Sequence, residues 1–154
     1  QQIEHYRYML KLYPQDAIAH YSLGVLYGGQ GRFGHAAREY QQALAINPAE
    51  ISARNNLANI LLRQHKVEEA IQEYERVLAH QPNYARGYYN LGTAYLMQDD
   101  PESATRAFQQ AVQREPDYVD AHYTLGQLYL KRGMQAEGQE HMETYHRLSL
   151  EKEK

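Results

Sequence analysis

Eight histidines, His5, His20, His35, His65, His80, His122, His141 and His146, are the side chains best suited to chemistry in this 154-residue chain. Imidazoles hold a metal when two of them share a helix face one turn apart and a thiolate or carboxylate completes the set. No two of these are four residues apart, no H-E-x-x-H run exists, and there is no cysteine. The pattern argues against a native metal site, and the missing thiols exclude disulfide and cysteine chemistry. Two acid pairs, Glu68–Glu69 and Asp99–Asp100, have the residue type for general acid–base work. Each stands where a helix is expected to begin, and acids there complement the helix dipole. The run GGQGRFG at 28–34 is glycine-rich, but no strand precedes it and no Lys-Ser/Thr ends it, as a phosphate loop requires. Nothing supplies a nucleophile–base pair or a cofactor site, so the chain reads as non-catalytic and free of cofactors.

The elements that would carry these residues repeat. Pro14, Pro48, Pro82 and Pro116 are spaced 34 residues apart, and a fixed period of this size indicates a stacked array. Leu23, Leu57, Leu91 and Leu125 recur in register, followed at once by Gly24, Ala58, Gly92 and Gly126, and three residues later by Tyr27, Leu61, Tyr95 and Tyr129. Ala36, Ala70, Ala104 and Gly138 form a second small row, with Tyr40, Tyr74, Phe108 and Met142 four residues on. Spacings of three and four put Leu23, Leu26 and Tyr27 on one helix face. The small residues let a neighbouring helix approach, and the large ones are the knobs that fill the space. One repeat cannot bury such faces alone, so adjacent repeats share their stability. First helices are expected near 17–29, 51–64, 84–97 and 118–131, and second helices near 33–46, 67–80, 101–114 and 135–150. Asn83 and Asp117 read as helix caps, and Asp100–Pro101 as a cap followed by a first-turn proline. GGQGRFG reads as the loosest joint.

Composition narrows the class further. The net charge is −3 and 43% of residues are apolar, with fifteen tyrosines. That balance is too weak for electrostatic steering and has the wrong sign for nucleic acid. No apolar run reaches membrane-spanning length. Most tyrosines fall at repeat positions, where an aromatic body packs and its hydroxyl reaches water. The chain opens at Gln1 without methionine and inside a repeat, which reads as an excised or processed piece. The compartment stays open, cytoplasmic and periplasmic both being compatible.

Together these positions resemble the tetratricopeptide repeat (TPR). The resemblance covers 15–150 as four copies, 15–48, 49–82, 83–116 and 117–150. Residues 1–14 resemble the second helix of a truncated copy, and 151–154 form a polar tail. Departures are His20, Arg54, Tyr88 and His122, where the family often has tryptophan, and Leu150 in place of a closing proline. The resemblance implies an all-α, right-handed superhelical array of antiparallel helix pairs, a single solenoid whose first helices line a concave groove. It also implies a non-catalytic scaffold or adaptor for protein binding.

Read by that register, the groove presents Tyr21, Asn55, Asn56, Asn59, Arg63, Arg86, Tyr89, Asn90, Met97, Tyr123, Gln127 and Lys131. Carboxamides carry both a donor and an acceptor and match an extended peptide backbone. Tyrosines add rigid contact area, and Met97 adapts its shape. Asn56 and Arg86 match two positions of the clamp that some family members close on heat-shock chaperone tails, but Tyr21, Val25 and Asn90 depart from it, so that ligand is not implied. Four first helices about 10 Å apart would hold on the order of nine extended residues. The expected partner is a protein or peptide segment, with no nucleic acid and no membrane insertion. Two alternatives stand beside this reading. Ile3, Tyr6, Met9 and Leu10 on the first helix could make the chain a self-assembling module, a homo-oligomer. The array could also be the regulatory or targeting part of a larger enzyme.

Overall fold

The computed structural model describes residues 1–152 and is helical throughout, with nine helices and no strand among the described residues. They are α1 Gln2–Leu12, α2 Ala17–Gly29, α3 Phe33–Ile46, α4 Ile51–Arg63, α5 Val67–His80, α6 Ala85–Met97, α7 Pro101–Arg114, α8 Val119–Lys131 and α9 Gln135–Lys152. The sequence places these helices within a residue or two at most ends. The tail at 151–154 is instead helical through Lys152, and its last two residues lie outside the described ones. Two compact units emerge, Gln1–His80 and Gln81–Lys154. In the first, α2 pairs with α3 and α4 with α5, and α1 packs on α2. In the second, α6 pairs with α7 and α8 with α9.

The small-residue rows work as close approaches. A Cβ on Gly24 would stand 2.6 Å from the Tyr40 ring, one on Gly92 2.8 Å from Phe108, and one on Gly126 2.7 Å from Met142. Each of these side chains lies where one from the glycine would otherwise be, and Tyr40 and Phe108 are buried, as is Tyr74 in the same row. In the second unit Phe108 joins Ala104, Leu125 and Tyr129 in a core that Tyr89, Tyr95, Val112 and Leu128 close over.

Turns repeat with the same period. Gly31, His65, Asp99 and Gly133 hold φ between 59° and 77°, one in each turn within a helix pair. The glycine-rich run thus turns on the same backbone conformation as its counterparts. Gly28 and Gly29 end α2 and Gly34 lies in the first turn of α3, so within this run only Gly31 takes the positive φ that favours glycine. The caps differ from expectation in one respect. Asp16, Glu50 and Asp100 accept from the amides of Ala19, Ser52 and Ser103, with Pro101 opening α7. Asn83 and Asp117 do not cap, because the N-cap positions fall one residue later, on Tyr84 and Tyr118.

The four periodic prolines have a shared device. Each proline carbonyl receives a side-chain donor: His20 Nε2 at 3.2 Å on Pro14, Arg54 Nη2 at 2.8 Å on Pro48, Arg114 Nε on Pro82, and His122 Nε2 at 2.9 Å on Pro116. Three of these donors occupy the row where the resemblance led one to expect tryptophan. In the remaining repeat Tyr88 holds that place, and the Arg114 guanidinium lies 4.2 Å over its ring. The donor's other end is tied to the second helix of its own pair. His20 Nδ1 faces Glu39 at 2.7 Å, Arg54 Nη1 faces Glu73 at 2.8 Å, and His122 Nδ1 faces His141 Nδ1 at 2.9 Å. These polar partners satisfy both imidazole rings, that of His122 buried and that of His20 half-buried.

Candidate functional site

In the first unit α2 and α4 run side by side and the start of α3 closes one end. Between them lies a cleft of about 550 Å³. The last turn of α2 contributes Gly28 and Gly29, whose missing side chains leave the space open. Phe33 and Ile60 form apolar walls, and Asn56, Asn59 and Arg63 supply polar groups from α4. These α4 residues share a face because their spacings are three and four.

The polar groups are positioned. Asn56 Nδ2 donates to the Tyr21 hydroxyl at 3.4 Å, and Asn56 also hydrogen-bonds the Tyr40 side chain. Burial, then the neighbouring Tyr21, pushes the Tyr40 hydroxyl up to about 12, with the Asn56 bond acting against them. Tyr40 therefore keeps its proton at neutral pH and can both donate and accept. The Asn59 carboxamide oxygen accepts from the buried Tyr74 hydroxyl, so Asn59 serves the helix pair as well as the cleft. Arg63 holds its guanidinium 5.5 Å from the Phe33 ring centroid, at the cleft's exposed edge. Asn55 lies outside this set, with a buried carboxamide oxygen that meets no donor.

Two 34-residue periods further on, the second unit repeats the arrangement. A cleft of about 300 Å³ is lined by Leu96, Asp99, Pro101, Leu128, Lys131 and Arg132. Leu96 stands at the register position of Gly28, Pro101 at that of Phe33, Leu128 at that of Ile60 and Lys131 at that of Arg63. Met97 stands at the position of Gly29 and is exposed.

The remaining predicted residues divide by what they touch. Tyr89 is packed, its ring stacked on Tyr118 at 5.2 Å and tilted against Phe108 at 5.3 Å. Burial raises the Tyr118 hydroxyl's pKa, and a hydrogen bond from Arg86 opposes it, so Arg86 is anchored rather than loose. Tyr123 lies against Tyr145 yet keeps an exposed edge, and Gln127 and Lys131 face solvent. Asn90 is half-buried and engaged. Within the first unit the structure brings Asn56, Asn59 and Arg63 to one cleft, with Tyr21 behind Asn56. Sequence reasoning missed Gly28, Phe33 and Ile60 as cleft residues. The cue was present, since Gly28 and Gly29 replace the larger Leu96 and Met97 of the other unit, but a glycine cluster reads first as a turn.

On α1 the residues offered for self-assembly are partly covered. Ile3, Tyr6, Met9 and Leu10 are half-buried, whereas Tyr8, Leu12 and Tyr13 are exposed. No helix is long and apolar enough to cross a membrane among the described residues.

Three models of one family, the tetratricopeptide repeat, match residues 17–50, 49–114 and 95–145. None of the curated proteins matches. Among solved structures, a MamA crystal structure superposes with a TM-score of 0.93 at 21% identity, over 97% of this chain and 88% of that one. MamA from Desulfovibrio magneticus RS-1 gives 0.91 at 23%, over 99% and 86%. YrrB, described as a TPR protein with an unusual peptide-binding site, gives 0.80 at 18%, over 98% and 81%.

Proposed function

The chain belongs to the tetratricopeptide-repeat family, and on that premise we propose that it holds an extended partner segment, with the Gly28–Gly29 cleft of the first unit taking one partner side chain. The family's arrays serve as protein-interaction scaffolds and are typically non-catalytic. The single observation that carries the finer reading is the cleft itself. It is about 550 Å³, open where α2 ends in two glycines, and edged by apolar and carboxamide groups. An apolar space with a few placed donors and acceptors suits a side chain flanked by its own backbone amides. YrrB, a structural neighbour, is described as binding peptide, which supports the reading by analogy of fold.

The test uses the glycines. A Cβ on Gly28 would meet nothing nearer than Ile60 Cδ1 at 3.6 Å, and one on Gly29 meets nothing within 4 Å. Gly28→Leu with Gly29→Met, the pair found as Leu96 and Met97 in the second unit, therefore starts two side chains into the cleft with no clash at Cβ and improves helix propensity by roughly 1 kcal/mol per residue. Peptides of about nine residues, selected from a randomised displayed library on the native protein, should bind the double variant at least about tenfold more weakly. Its melting temperature should hold or rise. Equal binding by the double variant, or a library that yields no binder, overturns the proposal.

The exposed Tyr8 and Leu12, one turn apart on α1, favour self-association as a second reading. Light scattering on a dilution series tests it, and a constant monomer mass counts against it.

A further inference from the structure

The first unit holds another cleft, built on different chemistry and sharing no lining residue with the glycine cleft. It is about 460 Å³ and lies between α1 and α3 over Leu23 and Tyr27 of α2. Arg7 and Lys11 enter from α1, one turn apart, and Arg32, the N-cap of α3, precedes His35 and Arg38 on that helix at intervals of three. Such spacings put each group on one helix face. Four cations therefore gather in a chain whose net charge is −3.

Little within the protein balances them. Glu39 lines the cleft but is bound to His20 Nδ1 at 2.7 Å, and Arg7 carries an exposed pair with Glu4 at 3.2 Å. Lys11 and Arg38 have no ion pair among the described residues. Arg32 is ordered without a carboxylate, its guanidinium 4.5 Å from the Tyr27 ring centroid and its Nη2 3.3 Å from His35 Nε2. Like charges at close quarters lower their energy by taking a counter-ion from outside. A guanidinium already held in place loses little freedom when a carboxylate docks on it.

The floor selects among anions. Tyr27 is buried, with Arg32 over its ring and His35 tilted against it at 5.1 Å. The aromatic rings that line the cleft, Tyr27 and His35, lie against one another, so it offers no row of separate rings for successive bases, which is how single-stranded nucleic acid is gripped. Leu10, half-buried on α1, instead offers an apolar edge beside the cations, above the buried Leu23. We propose that this cleft binds an acidic peptide segment, its carboxylates on Arg32, Arg38 and Lys11 and an aliphatic stem against Leu10.

Fluorescence anisotropy with a labelled hexaglutamate peptide at about 20 mM salt tests this. The variant is Lys11→Gln with Arg38→Gln, because these two give up no folded contact. Arg106→Gln with Arg147→Gln, exposed on α7 and α9, is the charge-matched control. The expected result is binding that weakens about tenfold in the first variant, is unchanged in the second, and fades with added salt. It should persist in the Gly28→Leu, Gly29→Met protein, which separates this site from the groove. Four outcomes overturn the proposal: no binding, equal loss in both charge variants, tighter binding of a labelled oligothymidylate, or pyrophosphate displacing the peptide at equal concentration.

Discussion

Gly28 and Gly29 in the first unit face the same task as Leu96 and Met97 in the second, two periods along. Both pairs end the first helix of their repeat, beside the next first helix. Where the side chains are missing the cleft is about 550 Å³, and where one of them lines it the cleft is about 300 Å³. Gly24 and Gly92, by contrast, are glycine in both units and both lie against a buried ring. The same residue type thus serves packing at one register and leaves room at another, and only the neighbours distinguish them. The proline staples differ in the same way. The first unit anchors both of its donors on carboxylates, Glu39 and Glu73, whereas the second uses an arginine over Tyr88 and a histidine on a histidine.

The largest effect should come from breaking a staple in the first unit. The Arg54 and Glu73 side chains are 13% and 12% exposed, and Arg54 also serves the Pro48 carbonyl. Arg54→Met leaves a nearly buried carboxylate with Arg76 alone, at a cost of about 3 kcal/mol. His122→Leu in the second unit removes one member of a nitrogen–nitrogen contact, strands no carboxylate, and should cost clearly less. Denaturant titrations of both variants decide it. Equal losses would mean that the carboxylate staple has no special weight.

Next in size is the glycine contrast. Gly92→Leu must displace the Phe108 ring, since even a Cβ there stands 2.8 Å away, and overpacking of this kind costs about 2 kcal/mol. Gly28→Leu should cost nothing. A Gly92→Leu protein that melts with the native one would refute the packing register, and a Gly28→Leu protein that melts early would refute the open cleft.

How far the sequence went follows from the same residues. Periodicity was enough for the helices, the small rows and the rings against them, because those positions depend on neighbours at known spacing. The predicted groove row was legible as a register, but what each side chain touches was not. Asn59 and Arg86 are exposed by spacing, yet Asn59 binds Tyr74 and Arg86 binds Tyr118. Those bonds join residues 15 and 32 apart, beyond any local pattern. The staple was hidden for a similar reason. Its donors occupy one row in three repeats and move to Arg114 in the other, so a row-by-row reading sees only an irregular residue.

A smaller effect should separate the units by pH. His122 Nε2 faces a carbonyl and so carries a proton, leaving one proton to share between the facing Nδ1 atoms. Burial, then His122, lowers the His141 pKa below its usual 6.5, with Glu140 acting against them. A lowered folded-state value means that the unfolded chain takes the proton more readily. The stability it contributes is full above pH 6.5 and is lost as pH falls through the folded value. Amide exchange in α8 and α9 should therefore quicken between pH 7 and 5 relative to α4 and α5, after correction for intrinsic rates. His141→Glu installs the first unit's pattern of donor and carboxylate, and should abolish that difference. Unchanged exchange ratios in the native protein would remove the histidine pair as its cause.

The turns give the smallest contrast. At one register the first unit has Gly31 and the second Asp99, and both hold positive φ, 71° and 59°. An L-residue there brings its Cβ toward the backbone, which glycine avoids, though glycine loses more freedom on folding. The two terms nearly cancel, so Asp99→Gly should gain only about 0.5 kcal/mol, and Gly31→Ala should lose about 1 kcal/mol. Asp99 also lines the second unit's cleft, so the substitution widens that cleft toward the first unit's form. If Asp99→Gly instead lowers the melting temperature, the aspartate side chain is holding the turn, and the two units differ there in chemistry as well as in residue type.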